Sequence, residues 1–119
     1  MAKLVALYKK PADAAVFDAY YFGTHVPLAG LLPGLRKYDV VEGPAAIESG
    51  EFHVVETFHF DDANAAELAL ASPEGLAAEA DRKAMAPGED DVVIFLTDGY
   101  EFQSEGYFES GFLTEGPEM

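Results

Sequence analysis

The 119-residue chain contains no cysteine. This excludes thiolate nucleophiles, Cys-ligated zinc, iron–sulfur clusters and structural disulfides, and makes a reducing cytoplasm the simplest compartment. Basic residues are scarce: seven Lys and Arg face 22 Asp and Glu, a formal net charge of −15. The imbalance lies mostly in residues 61–119, which hold two basic against fifteen acidic side chains. Phosphate backbones and anionic lipid both demand basic surface, so no nucleic acid and no membrane is expected as a partner. Long apolar runs are also missing. The run Leu4-Val5-Ala6-Leu7-Tyr8 is far shorter than a signal-peptide core or a membrane span and reads as a buried strand. The chain has no G-x-S-x-G, no G-x-x-x-x-G-K-[ST], no G-x-G-x-x-G and no histidine pair at i, i+4. Hydrolase triads, phosphate loops and dinucleotide folds therefore have no support.

What is present suffices for one domain: half of the residues are apolar, and a chain of this size builds a core without metal or disulfide. Lys3 to Tyr8 is apolar on both faces and is stopped by Pro11, as expected of a first strand. Asp13 can cap a helix whose stripe runs Phe17, Tyr20, Tyr21, Thr24. Val26 precedes proline and is pushed from helical angles, while Pro27 suits the first position of a short helix to Leu32, which leaves His25 at a non-helical joint. Pro33-Gly34 ends that helix, Arg36 to Glu42 reads as a second strand, and Gly43-Pro44 with Ser49-Gly50 brackets a loop. Phe52 to Phe60 ("FHVVETFHF") is a third strand. Asp61-Asp62 caps a helix through Ala71, Ser72-Pro73 opens another to about Met85, and Val92 to Thr97 is a fourth strand.

The order β, α with a short helix, β, β, α with a short helix, β predicts an α+β, ferredoxin-like (split βαβ) fold. It is a four-stranded antiparallel sheet with helices on one face. Strands one, three and four are apolar on both faces, yet helices cover only one. A second copy is the cheapest cover for the other, so a homodimer is expected, with the two sheets facing each other around an apolar space. Residues 99–119 are acidic and glycine-rich, but Tyr100, Phe102, Tyr107, Phe108, Phe112 and Leu113 make them too aromatic for a purely solvated tail. Packing of this extension on the core or on the partner subunit is the alternative to disorder.

Three residue patterns bear on chemistry. His53, Glu56 and His59 form H-x-x-E-x-x-H, but on a strand the two histidines stand about 20 Å apart at about 3.3 Å per residue, and Glu56 points to the other face. No shared metal site is expected. Either Phe52, Val54, Glu56, Phe58, Phe60 or the alternate set His53, Val55, Thr57, His59 lines the cavity, and the pattern does not choose between them. Glu56 or His59 in such a cavity is a second acid or base after His25. His25 itself has two readings. As a structural residue its protonated ring caps a negative helix terminus for about 0.3–1 kcal/mol. As a functional one it stands over the cavity with the hydroxyl of Tyr20 or Tyr21 nearby, ready for proton transfer.

The segments "KLVALYKKPAD", "FDAYYFGTHVPLAGLLPGLRKYDV", "ALASPEG" and "VVIFLTD" together resemble the EthD (ethyl tert-butyl ether degradation) family, a branch of the dimeric α/β-barrel superfamily. The resemblance spans residues 3–98, and Y-F-x-x-H-V-P-L-A followed by P-G-L-R-x-Y is its most specific part. It implies an EthD-like ferredoxin-fold domain over 1–98, followed by an acidic aromatic extension over 99–119 beyond the family's usual length. It also implies a homodimer with a hydrophobic pocket between sheet and helices. The superfamily includes cofactor-free monooxygenases, polyketide cyclases and decarboxylases, isomerases and haem enzymes. The family's histidine motif falls on His25 and Pro27.

The reading that follows is a cytoplasmic enzyme acting, without a cofactor, on a small hydrophobic compound, aromatic or polyketide-like, by oxidoreductase (monooxygenase-like) or lyase/cyclase chemistry. His25 is the general acid or base, with Tyr21, Glu56 and His59 as further catalytic groups. Tyr20, Phe22, Pro27 and Leu28 are expected to contact the ligand, with Tyr38, Phe58 and Phe95 completing the wall. The alternatives are a non-catalytic binding or accessory module that holds or delivers such a compound, and a structural dimer whose cavity is filled by its own side chains.

Overall fold

The computed structural model describes residues 1–43 and 51–100. The elements are β1 (Ala2–Lys9), α1 (Ala14–Tyr20), a π-helical turn (Tyr21–His25), α2 (Val26–Ala29), β2 (Lys37–Glu42), β3 (Phe52–Phe60), α3 (Ala63–Ala71), α4 (Pro73–Met85) and β4 (Val92–Asp98). The strands form one antiparallel sheet in the order β2-β3-β1-β4, the ferredoxin-like arrangement. The loop reading for residues 44–50 and the packing reading for 101–119 fall outside the described residues. No helix among the described residues is long and apolar enough to cross a membrane.

Alternation along the strands sets the layers. Ala2, Leu4, Ala6 and Tyr8 of β1 and Val54, Glu56, Phe58 and Phe60 of β3 are buried on one face, beneath the helices. This decides which set of β3 faces the helices. A register shift at Tyr8 and Lys9 places Val54 opposite Tyr8 but Phe52 opposite Lys9, a bulge that leaves His53 without a partner on β1. The bulge turns His53 toward α1, where its Nε2 lies 2.7 Å from Asp18 Oδ1 and its ring meets Phe17 edge-on. His53 therefore parts from Val55, Thr57 and His59, with which simple alternation had grouped it.

The helices begin where their caps dictate. Asp13, Asp62 and Ser72 accept from the backbone N–H three residues on, at the starts of α1, α3 and α4. Between α1 and α2 the expected joint does not exist. Val26 has helical angles (φ −59°, ψ −48°), and its N–H reaches back five residues to the Tyr21 carbonyl. Pro27 cannot donate to the turn before it, and its ring would crowd that turn's carbonyl. A widened π turn relieves both problems without breaking the helix. The buried stripe is accordingly Tyr21, His25 and Ala29, while Thr24 is exposed.

Two core clusters result. One is built on Leu4, Leu32, Phe58 and Phe60 with Ala66 and Ala69 of α3, the other on Ala6, Tyr8, Tyr21, Val54 and Ala86. The α3–α4 hairpin closes over the first, and its corner is very tight. A Cβ on Gly75 would stand 2.2 Å from the Ala69 carbonyl oxygen and 2.5 Å from that of Leu70. Gly75→Ala should therefore cost about 1–3 kcal/mol in chemical denaturation, since the Ala69–Leu70 backbone must move. Gly23→Ala, whose Cβ would meet nothing within 4 Å, should change stability by less than about 1 kcal/mol. Equal stabilities for the two variants would contradict this packing.

Candidate functional site

The site lies where the two core clusters meet. His25 and Glu56 are 3% and 2% exposed, the only buried histidine and acidic residue among those described. Glu56 projects from the middle of β3 opposite Ala6, whose small side chain leaves space above the sheet. Its Oε2 accepts hydrogen bonds from Tyr21 in the π turn and Tyr38 in β2, each 2.8 Å long. Tyr38 is held in that pose by stacking on Phe58, ring centroids 4.4 Å apart. His25 Nε2 stands 3.7 Å from Glu56 Oε2 and 3.4 Å from the Tyr8 hydroxyl. The other ring nitrogen, Nδ1, lies 2.9 Å from Asp81 Oδ2 on α4. Asp81 is gripped a second time by a short hydrogen bond from Tyr20. With Asp81 accepting from Nδ1–H, Nε2 is left to face Tyr8 and Glu56 with its lone pair.

A cavity of about 320 Å³ opens beside these groups, between the sheet and the α2, α3 and α4 helices. Its lining is mostly apolar, from Leu4, Leu32, Phe58, Leu70, Leu76 and Ile94. Tyr8, His25 and Glu56 supply polar atoms, as do Glu79 and Arg82. Arg82 is not free: its Nε and an Nη donate to the two Glu79 oxygens at 2.9 and 2.8 Å. That fork raises the Arg82 pKa and lowers that of Glu79. Burial first, and then the negative charge of Glu56, push Tyr8, Tyr21 and Tyr38 far above the ordinary phenol value of 10.0.

The sequence-derived residues are thus distributed unevenly. His25, Glu56 and Phe58 line the cavity, and Tyr21 and Tyr38 hold Glu56 from behind. Tyr20 reaches Asp81 from a 41% exposed position rather than the ligand space. Phe22 packs on Tyr21 at the surface, and Ala29 and Leu32 line the cavity where Pro27 and Leu28 do not. His59 and Phe95 sit on the opposite face of the sheet: His59 pairs with Asp39 at 2.8 Å, and Phe95 is 43% exposed beside Val5. H-x-x-E-x-x-H is therefore spread over three surroundings, and no three His, Asp or Glu side chains among the described residues could hold one metal ion. Tyr8, Asp81 and the Glu79–Arg82 pair are additions from the structure. The sequence signal for Asp81 is its place three residues after Ala78 and four before Met85, on the inward side of an otherwise solvated helix.

No family model matches the chain. An uncharacterized 11.0 kDa protein from the thcB-thcC intergenic region of Rhodococcus erythropolis is 32% identical over 105 residues, covering 82% of this chain and 94% of that protein. A crystal structure of an EthD family protein of Bacillus halodurans is 30% identical with a TM-score of 0.77, covering 84% of this chain and 99% of the other. The chain belongs to the EthD family. A more distant likeness, to SnoaB, a cofactor-independent oxygenase from Streptomyces nogalater, has 16% identity and a TM-score of 0.58 over 85% of this chain and 94% of that one. It extends the fold alone. Within this EthD-family chain the "YFGTHVPLA" phrase forms the π turn and α2, and the "ASPEG" phrase forms the tight α3–α4 corner beside the cavity.

The tyrosine cluster has a pH signature. A folded-state pKa above the unfolded one keeps a proton bound where the unfolded chain has released it. The stabilisation is therefore complete below pH 10 and is lost as pH rises beyond it, by up to about 1.4 kcal/mol per pH unit for each tyrosine. Phenolate absorbance from Tyr8, Tyr21 and Tyr38 should appear only together with loss of circular dichroism above pH 10. Their ionisation near pH 10 in an intact fold would contradict the hydrogen-bonded cluster.

Proposed function

We propose that this protein catalyses proton transfer on a small, largely apolar compound held in the cavity, with His25 as the acid or base. The observation that carries this reading is the Asp81–His25 pair, which fixes the ring of a buried histidine with its second nitrogen at the polar end of an apolar cavity. In the reaction step, Nε2 takes a proton from a carbon next to a carbonyl or from a phenol. The freed electron pair moves onto the substrate oxygen, and Asp81 stabilises the imidazolium. Returning the proton to a different atom completes an isomerisation or a cyclisation. Likeness in fold to a protein described as a cofactor-independent oxygenase supports monooxygenase-like chemistry from the same substrate anion, with molecular oxygen as the oxidant, one oxygen atom entering the substrate and the other leaving as water. On this reading Glu56, held by Tyr21 and Tyr38 with its Oε2 3.7 Å from Nε2, is the second acid or base of the site. The absence of cysteine supports a cytoplasmic location.

A test that does not require the natural substrate is proton–deuterium exchange, followed by NMR, at the acidic carbon of bicyclic ketones such as 2-tetralone. The protein should accelerate exchange, and His25→Gln should lose about 10²- to 10⁴-fold of that acceleration. Asp81→Asn should lose part of it and change its pH profile, because the ring is no longer held in one tautomer. Unchanged exchange in His25→Gln would remove His25 from the mechanism. Binding without exchange at any pH would favour a carrier, a reading the mainly apolar lining also supports.

The protein acts, on this reading, as a homodimer. The sheet face without helices carries Val5, Leu7, Val55 and Thr57 on the central strands, with Val41, Val93 and Phe95 50%, 42% and 43% exposed around them. That apolar surface is its own complement across a two-fold axis. Phe95→Glu should convert a dimer to a monomer in light scattering with the fold retained. A wild-type protein that is already monomeric at micromolar concentration would overturn the dimer.

A further inference from the structure

The polar end of the cavity has a definite hydrogen-bonding sense, and its charged lining residues, Glu56, Glu79 and Arg82, leave a formal excess of negative charge. Glu56 offers acceptor oxygens. His25 Nε2, with Nδ1 committed to Asp81 at 2.9 Å, offers a lone pair. The Tyr8 hydroxyl stands 3.4 Å from that nitrogen, a long contact that a ligand atom can replace. The cation on the lining, Arg82, has its fork closed by both oxygens of Glu79. An entering molecule therefore meets the acceptors of Glu56 and His25, the Tyr8 hydroxyl, and a guanidinium whose charge is offset by Glu79, among the described lining residues.

We propose that the cavity selects neutral hydroxyl donors, a phenol or the enol form of a ketone, and rejects carboxylates of the same shape. The hydroxyl takes the place of the Tyr8 contact and donates to His25 Nε2, while the apolar body lies along Leu4, Leu32, Phe58 and Ile94. A carboxylate has no proton to give to His25 Nε2 or to Glu56. It also sets a like charge beside Glu56 in a low-dielectric space, where repulsion is poorly screened. This rests on the same cavity as the proposed proton transfer, but it concerns recognition and needs no turnover.

Three bicyclic probes separate the components: 1-naphthol, 1-methoxynaphthalene, which is neutral but cannot donate, and 1-naphthoate, which is ionised at pH 7. In calorimetric titrations of the full chain, 1-naphthol should bind about 10- to 100-fold more tightly than either of the others, the range for a hydrogen bond to a charged or strongly polar acceptor. Glu56→Gln should improve 1-naphthoate relative to 1-naphthol, with circular dichroism confirming the fold. Naphthoate binding as well as naphthol, methoxynaphthalene matching naphthol, or no binding of naphthol would each overturn the proposal on the wild-type protein alone. An unaltered preference in a folded Glu56→Gln protein would overturn the role of Glu56. Naphthol selectivity together with unchanged exchange in His25→Gln would leave recognition standing and remove the reaction, so the two failures are distinguishable.

Discussion

The hydrogen bonds from Tyr21 and Tyr38 to Glu56 are the interaction on which the remaining architecture depends. A carboxylate in the middle of an apolar sheet face costs several kcal/mol unless its lone pairs are met. Meeting them fixes three elements at once. The π turn must deliver Tyr21 from one side, β2 must deliver Tyr38 from the other, and Ala6 on β1 must stay small enough to leave space above the strand. Buried ionic networks of this kind are often no more stable than a well-packed apolar core of the same shape. Glu56 also stands beside His25 and borders the cavity, which a purely structural network would not require.

The π turn is the local device that makes this possible. In an unbroken α-helix, Pro27 would crowd the turn before it and leave a carbonyl unpaired. Widening by one residue absorbs the proline and at the same time stacks the Tyr21 ring on His25, centroids 5.7 Å apart. Asp81 then receives His25 from α4, and the capped, glycine-cornered start of α4 sets how far along the sheet that helix begins. The proline and the glycine thus bracket the site from two helices.

Much of the fold was legible because its signals are local. Phe52–Phe60 and Pro73–Met85 follow from β-branched and aromatic density in one case and from a serine cap followed by proline in the other. Legibility ended where a long-range term overrode a local one. The pre-proline bias at Val26 argued for a break, yet a widened turn keeps the helix continuous. Both faces of β3 are apolar, so alternation could not assign Glu56 to the helical side, and the bulge that redirects His53 has no sequence mark. His25 drew notice as a lone histidine beside a proline. Asp81 did not, because in "AAEADRKAM" it reads as one more solvated charge. Tyr8 looked like an ordinary strand aromatic until the fold put its hydroxyl against an imidazole.

The division of the core into two clusters has a consequence for how stability is distributed. The cavity is the seam between them: Leu4, Leu32 and Phe58 line it from one cluster, Ala6 and Tyr8 from the other. A molecule seated there, as proposed, would supply contacts between the halves that the empty seam lacks. Occupancy and cohesion are therefore linked by mass action, with about 2.7 kcal/mol gained at a hundredfold excess over the dissociation constant. If the cavity holds a ligand as proposed, the empty protein would be the looser form, and its lifetime against proteolysis would rise and fall with the supply of that ligand.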